Sequence, residues 1–177
     1  MAILKIELYG SQVLREKAKP VEKVDDKIRS LLDDMVETMR FARGAGLAGN
    51  QVGVPLRIVV IDFGALEGKE DIRYFINPEI VSAEGKMDCE EGCLSFPQIF
   101  VKTQRPKKMK VRALDRDGNP FEVEGEDFIS KAMGHELDHL DGVLMIDHVS
   151  PLKREFVKKR IKKLIREGEW ENPYPQE

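Results

Sequence analysis

Hydrophobic positions recur with helical spacing early in the chain. Ile28, Leu31, Leu32, Met35, Val36 and Met39 fall on one face of a 3.6-residue period. The spacing predicts a helix from Val24 to about Arg43, capped by Asp25 or Asp26 and ended by Gly44-Ala45-Gly46. Leu56 to Asp62 is β-branched and predicts a buried strand, followed by a polar loop over Gly64 to Asp71. Tyr74-Phe75-Ile76-Asn77 and Ile80-Val81-Ser82 predict strands with Pro78 at a break or edge. Lys108 to Leu114 and Phe121 to Glu124 flank Asp115-Arg116-Asp117-Gly118-Asn119-Pro120, the pattern of a hairpin. Phe128 to Leu140 predicts a second helix, with Ile129, Ala132, Met133, Glu136, Leu137 and Leu140 on its inner side. A third helix starts with Ser150 as cap and Pro151 in the first turn, and runs to about Glu167. Strands in the middle and helices at the ends predict an α+β fold of antiparallel or mixed sheets around the second helix. Residues 1–168 are expected to form one domain, and 169–177 an extended tail.

Composition narrows the class. The chain has 177 residues, 41% hydrophobic and 34% charged, enough for one real core under a charged surface. A net charge of −3 predicts no general field for nucleic acid, and no sequence-specific nucleic-acid binding is expected. The longest apolar run, Ile58-Val59-Val60-Ile61, is far too short to span a membrane. Met1 to Ile6 lacks the pattern of a signal peptide. The two cysteines, Cys89 and Cys93, do not make a disulfide framework, so a cytoplasmic setting is expected.

The densest chemistry is His135-Glu136-Leu137-Asp138-His139. Residues at i and i+4 share a helix face, so both imidazoles can reach one metal ion with Glu136 beside them. Zinc peptidases use this H-E-x-x-H arrangement, with the glutamate as general base toward an activated water. A catalytic metal normally has a third protein ligand. His148, Asp138, Asp141 and the two cysteines are candidates. The H-x-x-G-x-x-H extension of one peptidase class is missing, because Leu140-Asp141-Gly142-Val143 follows His139. Cys93, in Glu90-Glu91-Gly92-Cys93-Leu94-Ser95, is the better candidate, since Gly92 permits close backbone approach and a thiolate is a strong ligand for borderline cations. A zinc endopeptidase, or a closed structural site with Cys89 as fourth ligand, remains compatible with these residues alone.

Three segments together resemble the motifs of the peptide deformylases, in the same order. They are Gly44-Ala45-Gly46-Leu47-Ala48-Gly49-Asn50-Gln51, Glu91-Gly92-Cys93-Leu94-Ser95 and His135-Glu136-Leu137-Asp138-His139-Leu140. The resemblance covers nearly the whole chain. It implies a hydrolase that removes the formyl group from the N-terminal formylmethionine of nascent chains. It implies one divalent metal ion held by Cys93, His135 and His139: Fe²⁺ in cells, with Zn²⁺ or Ni²⁺ compatible with the same ligands. It implies Glu136 as general acid/base, with Gln51 and the Leu94 backbone N–H as donors to the oxyanion. The candidate substrate-binding residues are Ala45, Gly46, Glu91, Gly92, Phe128 and Ala132, with Leu94, Met133 and Cys89 as further wall candidates for a methionine pocket. Glu91 is expected to pair with Arg105 and brace the Cys93 segment. Two positions depart from the family pattern: Gly49, where a second Ala is usual, and Gly134, where Gln is usual.

The last predicted helix is strongly basic through Lys153, Arg154, Lys158, Lys159, Arg160, Lys162, Lys163 and Arg166. Leu152, Phe156, Ile161, Leu164 and Ile165 supply its apolar positions. It is expected to dock on the body with a solvated outer face, and that face suits contact with ribosomal RNA.

Overall fold

The computed structural model describes residues 1–172 and 174. Helix α1 (Asp26–Phe41) starts one residue after Asp25, whose carboxylate accepts the Ile28 N–H at 3.1 Å. It stops short of Arg43 because Arg43 itself turns left-handed (φ 58°), while the Gly44 N–H closes on the Met39 carbonyl. The first turn beyond the helix is therefore made by an arginine and not by the glycines that follow.

Five antiparallel strands form the main sheet in the order β1 (Gly46–Ala48), β2 (Ile58–Asp62), β3 (Ile72–Glu84), β6 (Lys108–Leu114), β7 (Pro120–Glu126). The side chains of β2 alternate between two cores. Val59 and Ile61 join Phe75, Val111, Met133, Leu137 and Leu140 on the face covered by α2 (Phe128–Leu140). Ile58 and Val60 join Leu32, Met35, Val36 and Met39 of α1 on the other face. Burial on both faces is why this strand is a continuous apolar run.

The expected break at Pro78 is absent as a break: β3 is one strand with a register shift between Ile76 and Glu79. Asn77 absorbs it by adopting a left-handed φ of 51° and clasping Val21 through both side-chain atoms, at 2.8 and 2.9 Å. The bulge falls where Pro78 has no N–H to offer the ladder.

A separate two-stranded hairpin, β4 (Met87–Cys93) with β5 (Phe96–Arg105), carries the Glu91-Gly92-Cys93 segment. Beneath it a third core joins Phe96, Ile99 and Val101 to Leu144, Met145, Ile146, Ile161 and Leu164. The last two lie on α3 (Pro151–Arg166), capped by the Ser150 hydroxyl accepting from Lys153 N. Of the five expected apolar positions of α3, only Ile161 and Leu164 are buried; Leu152, Phe156 and Ile165 are more than half exposed. No helix among the described residues is long and apolar enough to cross a membrane.

Beyond α3, Trp170 meets Phe96 edge-on at 6.5 Å between ring centroids. The Asn172 side chain accepts the Ile6 N–H at 3.2 Å, and the Tyr174 hydroxyl donates to the Leu4 carbonyl. The rest of the expected extended tail, 173 and 175–177, lies outside the described residues. The N-terminal segment that this tail meets crosses behind the motifs: Glu7 N–H donates to the Gln51 carbonyl at 2.7 Å and Tyr9 N–H to the Ser95 carbonyl at 2.9 Å.

Candidate metal centre and active site

Helix α2 presents His135 and His139 one turn apart, with ring centroids 5.0 Å apart. The β4–β5 hairpin brings Cys93 against them, its Sγ 3.4 Å from His139 Nε2. Ligand atoms of Cys93, His135 and His139 all lie within 4.8 Å of one another. Both histidines are buried, and each turns its outer nitrogen toward the same point. For His135 the orientation is set by Glu91, whose Oε1 accepts from Nδ1 at 2.8 Å and leaves Nε2 facing the centre. One sulfur and two imidazole nitrogens suit a borderline divalent cation.

The expected Glu91–Arg105 pair is present and buried, with Arg105 donating through Nη2 at 2.7 Å and Nε at 2.9 Å. Thr103 also donates to Glu91. Burial alone would raise the Glu91 carboxyl, but the donors from His135 and Arg105 override it and hold the group well below the usual carboxylate range. The Glu91 carboxylate is thus taken up inside the protein. What Glu91 offers a ligand is its place in the cleft wall, not its charge.

Glu136 lies in the same burial zone with a different fate. Its Oε1 is 4.0 Å from His135 Nε2, and its Oε2 is buried with no partner among the described residues. Burial pushes its carboxyl up to about 7, against the pull of His135 and Arg105. Without a metal, burial and the neighbouring His135 also push His139 well below the ordinary imidazole value. Burial lowers His135 too, but Cys93 and Glu91 outweigh it and hold His135 well above that value.

Gln51 sits in the short 3₁₀ turn Gly49–Val52 after β1. Its carbonyl oxygen accepts from Ala48 N at 3.0 Å, which fixes the amide so that Nε2 points toward Ser95 Oγ at 3.1 Å and Cys93 Sγ at 3.6 Å. Gly46 on β1 passes so close to Glu136 that a Cβ there would stand 2.8 Å from Oε1. Gly92 is likewise covered, with a Cβ meeting the Phe100 ring at 2.8 Å.

These groups, His139 apart, open onto one cleft of about 410 Å³. Ala45, Gly46, Gln51, Glu91, Gly92, Cys93, Leu94, Phe128, Ala132, His135 and Glu136 all line it. Two wall candidates do not. Met133 is wholly buried in the core between α2 and the sheet. Cys89, four residues before Cys93 on the same strand, sits roughly 13 Å along it and bonds to Thr103 in a separate groove. Cys89 is therefore no fourth ligand. His148 and Asp138, weighed as ligands above, pair with each other at 2.7 Å outside the cluster, and Asp141 pairs with Arg57.

Sequence reasoning missed Ser95, which receives the Gln51 amide, and the run Pro97-Gln98-Ile99-Phe100 along the cleft rim. Ser95 lay inside a quoted motif. The rim had no signal, because Phe100 points outward where strand alternation places polar residues.

Comparison with known proteins gives a consistent picture. The family model described as Polypeptide deformylase matches residues 3–155. A peptide deformylase of Alkalilimnicola ehrlichii is 48% identical over 168 residues, covering 95% of this chain and 94% of its own. One from Pseudomonas aeruginosa is 48% identical and covers 94% and 99%. The crystal structure of a peptide deformylase from Legionella pneumophila superposes with a TM-score of 0.89 at 44% identity, covering 94% of this chain and 98% of that one.

Proposed function

Because the chain belongs to the polypeptide deformylase family, enzymes that remove the formyl group from new proteins, we propose that Cys93, His135 and His139 hold its metal ion and that Glu136 carries the proton. The observation that carries this reading is the buried, unpartnered Glu136 Oε2 beside three converging ligand atoms. A bound divalent ion supplies Lewis-acid chemistry, lowering the pKa of water toward neutrality and polarising a carbonyl.

The chain's own residues supply the rest. Glu136, buried beside the ligands with Oε2 lacking a partner among the described residues, accepts a proton from the attacking water and returns it to the leaving amine. Gln51 Nε2, held by Ala48, and the Leu94 backbone N–H donate to the carbonyl oxygen as negative charge builds on it. Ser95 Oγ keeps the Gln51 amide aimed when no substrate is present. The peptide lies extended along the free edge of β1 at Ala45 and Gly46, in the manner of an added strand. Its methionine side chain packs on Phe128, Ala132 and Leu94, with Gly92 and the Phe100 ring that covers it in the cleft wall.

The native ion in this reading is Fe²⁺, which fits a sulfur-containing ligand set, and the setting is the cytoplasm, where formylated chains emerge. The exposed basic residues of α3, interspersed with the exposed apolar Leu152 and Phe156, suit contact with the ribosome.

The test is formate release from formyl-Met-Ala-Ser by protein purified without oxygen, beside a Glu136→Ala control. Formate from the wild type and none from a metal-loaded control is the expected result. A folded, metal-loaded wild type that releases no formate sinks the proposal. Metal content by mass spectrometry, and loss of activity in air restored by Fe²⁺, would identify the ion. Stable activity in air with zinc alone would exclude iron.

A further inference from the structure

A chain of hydrogen bonds leaves the active site on the side away from the cleft. It runs from His135 to Glu91 and from Glu91 to Arg105, as described above. Arg105 Nη1 then donates to Asp138 Oδ2 at 2.6 Å, and His148 Nε2 donates to the same oxygen at 2.7 Å. Exposure rises outward along this chain. The Glu91 and Arg105 side chains are 1% and 4% exposed, Asp138 26% and His148 33%.

The chain joins three separately packed elements. Arg105 ends β5, the strand paired with the one that carries Cys93. Asp138 lies on α2 between the two histidines' turns. His148 ends the short 3₁₀ turn Met145–His148, whose Met145 and Ile146 are buried against Ile99 and Val101. The hairpin and α2 supply ligands from opposite sides, so their separation sets the size of the ligand triangle. Arg105 alone faces two carboxylates, Glu91 and Asp138. It gives Glu91 two N–H donors and Asp138 one, and Asp138 is open enough to swing toward solvent. His148 gives Asp138 a second donor from a backbone that the core holds still.

We propose that His148 is a positioning residue for the metal centre: by fixing Asp138 it holds Arg105 and Glu91, and through them the orientation of His135. The inference rests on the reading of Cys93, His135 and His139 as ligands. Direct partners of a ligating histidine typically matter by ten- to a hundredfold in metal affinity. His148 acts three bonds further out, so its removal is expected to speed metal loss by about threefold, a fraction of that range.

The experiment uses zinc as the probe in the full-length protein. The rate of zinc transfer to a chelator is measured for wild type, His148→Ala and His148→Gln, together with kcat and KM for formyl-Met-Ala-Ser. His148→Ala should release zinc about threefold faster and lose kcat with KM unchanged, while His148→Gln, which keeps an N–H donor, should stay close to wild type. In an Asp138→Ala background the His148→Ala change should add nothing, because the route to His135 is already cut. Equal zinc release from wild type and His148→Ala overturns the role of His148. So does a lower Tm of the metal-free variant with unchanged zinc release, which marks a structural part only. A wild type that binds no zinc overturns the ligand reading itself, and with it this one.

Discussion

Glu136 is the residue on which protonation chemistry and stability meet. Its carboxyl is raised from an ordinary value near 4.5 to about 7 by burial, so the folded state holds the proton more tightly than the unfolded chain. The stabilising share is present in full below the unfolded value and is lost as pH rises through about 7. Metal-free Glu136→Gln should therefore be more stable than metal-free wild type at about pH 8, by up to about 3 kcal/mol, and no different near pH 4. Denaturant midpoints of the two apoproteins across that range decide it; parallel curves would mean that Glu136 is not raised. With metal bound, the same variant should lose turnover by about a thousandfold or more. Two glycines outside the usual family pattern part ways here. At Gly49 a Cβ would meet the Val54 and Leu56 carbonyl oxygens at 2.6 and 2.7 Å, so Gly49→Ala should destabilise by about 1–3 kcal/mol. At Gly134 the nearest atoms are the end of Arg105 and Met109 at 3.4 and 3.5 Å, an ordinary contact, so Gly134→Ala should stabilise by about 0.5–1 kcal/mol through helix propensity. Thermal unfolding of both variants tests the pair, and the same sign for both would contradict the packing. The departure at Gly49 does not loosen the turn before Gln51, as extra backbone freedom would suggest; it lets the Val54–Leu56 backbone close over it.

Among the elements, the helices were legible because their faces are wholly apolar or carry the metal motif. The expected second helix matches α2 from Phe128 to Leu140. The hairpin β4–β5 was not, although it bears Cys93. Its inward positions mix Glu91, Thr103 and Arg105 with Phe96, Ile99 and Val101, and an outward one is Phe100, so the apolar-polar alternation is interrupted. That interruption has a cause in the site: beside its apolar positions the hairpin buries a polar brace for α2. Removing one partner of such a buried pair leaves the other charge uncompensated, at about 3–5 kcal/mol. Arg105→Ala should accordingly lower stability by an amount of that order and lower metal content as purified, measured by chemical denaturation and metal analysis. A variant with full metal content would show that the hairpin and α2 keep their spacing without the brace. The proposed ligands His135 and His139 could be read from type and spacing, and Cys93 was fixed by the family resemblance, but Ser95 and the cleft rim depend on how the hairpin bends after Cys93, which no local pattern records.

At the scale of the molecule, the five-stranded sheet is sandwiched by α1 and α2, and the hairpin with α3 forms a third core on the side where the cleft opens. Since Ile161 and Leu164 are part of that core, deleting α3 would damage the body and could not isolate its outer face. Charge reversal of exposed Lys159, Arg160, Lys162 and Lys163 is the cleaner change. It should abolish salt-sensitive cosedimentation with ribosomes and leave formate release from a free tripeptide unchanged; undiminished cosedimentation would remove α3 from that role. The bond from Ile6 to Asn172 joins positions 166 apart, and the one from Tyr174 to Leu4 joins positions 170 apart. A chain is made from its N-terminus, so Ile6 emerges long before the residue that will hold it exists. Until then the segment behind Gln51 and Ser95 is tethered on fewer sides.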